Sequence, residues 1–90
     1  MSGQATPVWT MAKHGSNQYL SLAKGYLQLS ILYNSGSRNR PTPENEQYVL
    51  TINSHRVGQC GSAEEGKKIL LAKAIAVCSI ALRQIESIEV

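Results

Sequence analysis

No aspartate occurs anywhere in the 90 residues, and the six carboxylates are all glutamates. Glu64 and Glu65 open a helix, Glu86 and Glu89 close the chain, and Glu44 and Glu46 flank a loop. None lies in an apolar run able to desolvate a carboxyl pair for acid–base chemistry, so the reading is of a protein without catalytic residues. Cysteine is also scarce. Cys60 and Cys78 are too few for a disulfide scaffold and are read as reduced, Cys78 on the buried stripe of a helix. Together with His14 and His55 they show no short paired spacing of the kind zinc requires, so neither metal nor cofactor is expected. Charged residues make up only 17% of the chain, below the usual quarter or so, and the net charge of +3 falls well short of a dedicated nucleic-acid binder. No segment is long and apolar enough to span a bilayer, and MSGQATPVW lacks the basic and apolar regions of a secretory signal. The expectation is a cytoplasmic protein that does not enter membranes.

What is present is one long helical segment, GSAEEGKKILLAKAIAVCSIALRQIESI, with a helix predicted over 62–88. Its start is specified by a capping box, Ser62 with Glu65 three residues on, and by two acids at the positive end of the helix dipole. At 3.6 residues per turn Leu70, Ala74, Val77, Cys78, Ala81 and Ile85 share an arc, the stripe expected to lie on a sheet. Ile69 and Ile80 fall on one flank, and Leu71, Ile75 and Leu82 on the other. A single sheet cannot cover a helix that is apolar nearly all round. An edge strand or the N-terminal arm is one candidate cover. The other is a self-association surface, in which Leu71, Ile75 and Leu82 would form a homodimer or partner interface.

Residues 8–60 read as strands. Residues 1–7 form a polar tail, and Val8–Met11 is a short first strand carrying Trp9, the only tryptophan, as a core anchor. Tyr19–Leu22 and Tyr26–Tyr33 alternate around a Lys24-Gly25 turn, with Leu27, Leu29, Ile31 and Tyr33 facing the helix. A polar, proline-bearing loop of about a dozen residues, 34–45, is expected to be mobile or to touch a partner. Glu46–Asn53 resumes the alternation with Tyr48, Leu50 and Ile52 inward, Ser54-His55 turns the chain, and Arg56–Cys60 is the last strand. The predicted fold is a single α+β domain, an antiparallel meander of three to five strands packed on one C-terminal helix.

Two resemblances give functional expectations. The Trp near the start, the hairpin Lys24-Gly25-Tyr26-Leu27 and the final Gly-x-x-Glu-Glu helix resemble small proteins of phages and mobile elements, among them sheet-plus-helix anti-CRISPR proteins. That resemblance implies a non-catalytic inhibitor that docks on a CRISPR effector complex in the host cytoplasm and blocks its nucleic-acid binding or cleavage. The alternative is a DNA-binding module. Over Tyr26–Ala76 the strand Arg56–Cys60, Gly61 and the lead-in Ser62-Ala63-Glu64-Glu65 resemble plant AP2-type factors and the arm-binding domains of tyrosine recombinases. Those read the major groove with the sheet, yet Gln28, Ser30, Thr51 and Asn53, the residues expected on that face here, include no base. On either reading the candidate contact residues are Lys24, Arg38, Arg40, His55 and Arg56, a basic rim if their turns converge.

Overall fold

The computed structural model describes residues 6–13 and 15–89. Five strands, β1 (Thr10–Met11), β2 (Gln18–Leu22), β3 (Leu27–Tyr33), β4 (Tyr48–Ile52) and β5 (His55–Cys60), form an antiparallel sheet in sequence order. One helix, α1 (Ala63–Ser87), follows and packs across β3, β4 and β5. This is the predicted α+β meander with its C-terminal helix.

Turn chemistry fixes the strand ends. Between β2 and β3 the chain passes through Ala23, Lys24 and Gly25 at φ of 50°, 55° and 92°, a left-handed run that only Gly25 adopts without cost. Asn53 and Ser54 at φ of 50° and 69° make the β4–β5 turn. The turn therefore sits one residue earlier than Ser54-His55, because asparagine tolerates the left-handed region that a tight hairpin needs. His55 is consequently the first residue of β5 and pairs with Ile52. Asn53 also ties the two hairpins together: its Oδ1 accepts from the Gln28 N–H at 2.7 Å and its Nδ2 donates to the Tyr26 carbonyl at 3.2 Å.

The core lies between one sheet face and the first half of the helix. Leu29, Ile31, Leu50 and Leu70 are fully buried, with Leu20, Ile52, Cys60 and Ala74 around them and Trp9 packed at the margin. The inward set on β3 is thus as its alternation requires, except that Tyr33 at the strand end is half open and packs against Tyr48, ring centroids 5.1 Å apart. At Gly66 the helix approaches the sheet so closely that a Cβ would lie 2.9 Å from Leu50 Cδ2 and 3.2 Å from Cys60 Sγ. The Ser62 hydroxyl accepts from the Glu65 N–H at 3.2 Å, which is the cap that the sequence specifies.

Candidate functional site: the unsupported half of the helix

Twenty-five residues of helix extend about 37 Å, whereas five- to seven-residue strands reach about 17–23 Å. The helix outruns its sheet. Only Gly66, Leu70 and Ala74 are buried along it, all in the first half. Val77, Cys78 and Ile85, expected on the sheet-facing stripe, are exposed, and Ala81 is only partly covered. Their spacing is right, but no strand lies beneath them. Nor does an edge strand cover the second face: among the described residues nothing packs on either flank of the tail. Residues 1–5 of the N-terminal arm lie outside the described residues.

Leu71, Ile75 and Leu82, the predicted association residues, are 42%, 68% and 56% exposed. Since successive helical residues are separated by about 100°, Leu71 points about a quarter turn away from Leu70 and the sheet. Cys78 and Ile85 fall on the same flank, so five apolar residues, 71, 75, 78, 82 and 85, recur at spacings of four and three. Counting outward from the sheet-facing stripe had hidden Cys78 and Ile85. The heptad spacing itself was the signal that could have found them. The opposite flank carries Ile80, also exposed.

The basic residues divide between two ends of the sheet instead of forming one rim. Lys24 sits in the β2–β3 turn beside the Asn53-Ser54 turn, His55 and Arg56, whereas Arg38 and Arg40 lie in the β3–β4 loop at the far end of β3, about 20 Å away. Arg56 owes its orientation to a β-bulge. Pairing shifts from Leu50 with Gly58 to Thr51 with Arg56, so Val57 is the extra residue and packs on the core while Arg56 shares the open face with Thr51. That face carries the row Tyr19, Ser30, Thr51, Arg56, with Leu32, Val49 and Gln59 in the next row. Thr51 is buried rather than exposed, flanked by Ser30 and Arg56 on the neighbouring strands, and Asn53 is occupied in bridging the hairpins. Arg56 is the only charged residue in these rows.

The long loop has structure of its own. Gly36 and Pro41 form a bridge, the Thr42 N–H donates to the Ser35 carbonyl at 2.9 Å, and the Ser37 N–H donates to the Arg40 carbonyl at 3.1 Å. A 3₁₀ turn over Glu44–Glu46 completes the connection. Only a glycine fits at position 36, with φ of 82° and the Arg40 carbonyl 2.5 Å from where a Cβ would stand. Residues 34–45 are therefore a largely exposed loop with internal hydrogen bonds.

Among the described residues no group of three or more His, Cys or Glu side chains is placed to hold a metal ion, and no helix is long and apolar enough to cross a membrane. Comparison with protein-family models, curated proteins and solved structures gives no match.

Proposed function

We propose that the chain is a non-catalytic protein-binding inhibitor whose docking element is the projecting half of the helix. The observation that carries this reading is the position of Ile75, Ile80, Leu82 and Ile85, each more than half exposed on a segment that the sheet does not reach. A helix apolar on both flanks is a poor structure to leave in water and a good one to lay in a groove or against another helix. The likeness to anti-CRISPR proteins makes a CRISPR effector complex the partner class. Expression of the chain in a CRISPR-bearing host tests this, with plaquing of a targeted phage as the readout. Restoration of plaquing that is lost with Leu82→Glu supports it, and continued immunity in the presence of soluble protein overturns the inhibitor reading.

The DNA-binding alternative rests on Arg56, which the bulge turns onto the open sheet face. One arginine on a face otherwise neutral gives little phosphate neutralisation, so the protein reading is preferred. Retardation of a random duplex at low salt, abolished by Arg56→Glu and steeply weakened by salt, would reverse that preference.

A further inference from the structure

We infer that the flank formed by Leu71, Ile75, Cys78, Leu82 and Ile85 is the seam of an antiparallel homodimer, in which each helix tail lies against the sheet-supported half of its partner's helix. This rests on reading the helix as an association element, and it names a second copy of the chain as the occupant of one flank. Spacing favours such a seam. Residues 71, 75, 78, 82 and 85 follow a 4-3-4-3 pattern, which keeps an apolar stripe facing a neighbouring helix over two heptads. All five lie away from the sheet, and Ala72 and Ser79 beside them are small enough to let two helices approach closely.

The area available is also enough for a pair. The exposed fractions of these side chains correspond to roughly 500 Å2 of apolar surface per copy, and two copies together reach about 1,000 Å2, the lower end of specific interfaces. The pair is therefore expected to dissociate on dilution.

Charge and register set the direction. An antiparallel pair with Leu71 opposite the partner's Leu82 and Ile75 opposite the partner's Cys78 sets Lys68 beside the partner's Glu86 and opposes the two helix dipoles, while Lys67 is held by Glu64 at 3.7 Å and by the Trp9 ring. A parallel pair sets lysine beside lysine and glutamate beside glutamate. Sliding the antiparallel pair by one heptad carries Leu71 past the end of the partner's helix at Ser87 in one direction and sets Glu64 against the partner's Leu82 in the other. The chosen register also supplies what the tail lacks, since residues 77–87 of one copy run beside residues 66–76 of the other, the half that the sheet holds in place.

Sedimentation over a range of concentrations is expected to give a species of twice the 9.8 kDa chain mass that dissociates on dilution. Ile75→Glu places a charge in the seam and is expected to weaken association by about 100-fold or more, while its melting curve stays that of a folded chain because Ile75 is exposed in the monomer. Direction is read in a Cys78→Ser background. An equimolar mixture of Leu71→Cys and Leu82→Cys should be joined by a short bis-maleimide, and neither variant alone should be, because like positions then lie about 16 Å apart along the axis. A wild-type chain that stays monomeric at the highest concentration, or a dimer indifferent to Ile75→Glu, overturns the seam; self-cross-linking of each variant alone, or a dimeric mixture that does not cross-link, overturns the direction. A monomer that still restores plaquing would remove the dimer and leave the inhibitor reading standing. A seam-dependent dimer without inhibition would do the reverse.

Discussion

Residues 63–74 and 75–87 belong to one uninterrupted helix, yet only the first half behaves as part of a folded domain. The first half, with four charged residues before Leu70, contributes all the buried positions of the helix. By contrast the second half is the more apolar, and it is held by nothing among the described residues but its own backbone hydrogen bonds. Burial here follows the reach of the sheet, and apolar content follows something else. Ile75, Val77, Ile80, Leu82 and Ile85 thus add nothing to the described core, and isolated helical turns of this length are marginal in water.

The largest expected effect sharpens that contrast directly. Leu70→Ala removes a fully buried side chain from between the helix and Leu29, Ile31 and Leu50, and should cost about 3–5 kcal/mol in denaturant titration, a large fraction of a small domain's stability. Ile80→Ala, an equally apolar truncation ten residues along, should cost less than about 0.5 kcal/mol, because Ile80 is already more than half in water. Comparable losses at the two positions would show that the tail is packed and erase the distinction between the halves.

The same contrast explains what could be read from the sequence. Alternation placed the inward residues of β3 and β4, and the cap placed the helix start, because both are local signals in which each residue speaks for a neighbour two to four positions away. Where the sheet stops beneath the helix is not local: it depends on strand length and crossing geometry, so Val77, Cys78 and Ile85 carried the periodicity of core residues without being core. The β5 bulge was hidden for a related reason. Inserting Val57 changes the phase of the strand by one residue, and no composition signal marks it, so neither the orientation of Arg56 nor the burial of Thr51 followed from alternation. The basic residues were visible individually, but their division between the two ends of β3 emerges only from the meander's connectivity.

A second, smaller effect tests how the supported half is held. Gly66→Ala improves helix propensity by about 1 kcal/mol, but its Cβ would press on Leu50 Cδ2 and Cys60 Sγ in a core with no slack. Overpacking of about 1–3 kcal/mol should win, leaving a net loss of about 1 kcal/mol in thermal or denaturant unfolding. Ser79→Ala on the unsupported half has only the propensity term and should stabilise by up to about 0.5 kcal/mol. Stabilisation at both sites would mean that the helix can lift from the sheet at Gly66, so that close approach is not what anchors its first half.

The smallest effect is expected where the molecule projects a second time, at the β3–β4 loop. Its hydrogen bonds run within the loop, from the Gly36 N–H to Asn34 Oδ1 at 2.9 Å, from the Thr42 N–H to the Ser35 carbonyl, and from the Arg40 N–H to Ser37 Oγ at 3.0 Å. Outside these, Gln47 Nε2 donates to the Thr42 carbonyl at 3.2 Å, and the Asn34 N–H donates to the Gln47 carbonyl at 2.7 Å, a bond that lies outside residues 36–42. Replacing residues 36–42 by a short Gly-Ser turn leaves Asn34 Oδ1, the Ser35 carbonyl and Gln47 Nε2 to find water instead, at a site open enough to supply it, and a shorter connection has a slightly lower closure entropy cost. The melting temperature should therefore move by no more than a degree or two, corresponding to less than about 0.5 kcal/mol. A loss of several degrees would show that the loop clamps the ends of β3 and β4. It would then belong with the supported half of the helix as a structural element, leaving the tail as the one projection whose removal spares the fold.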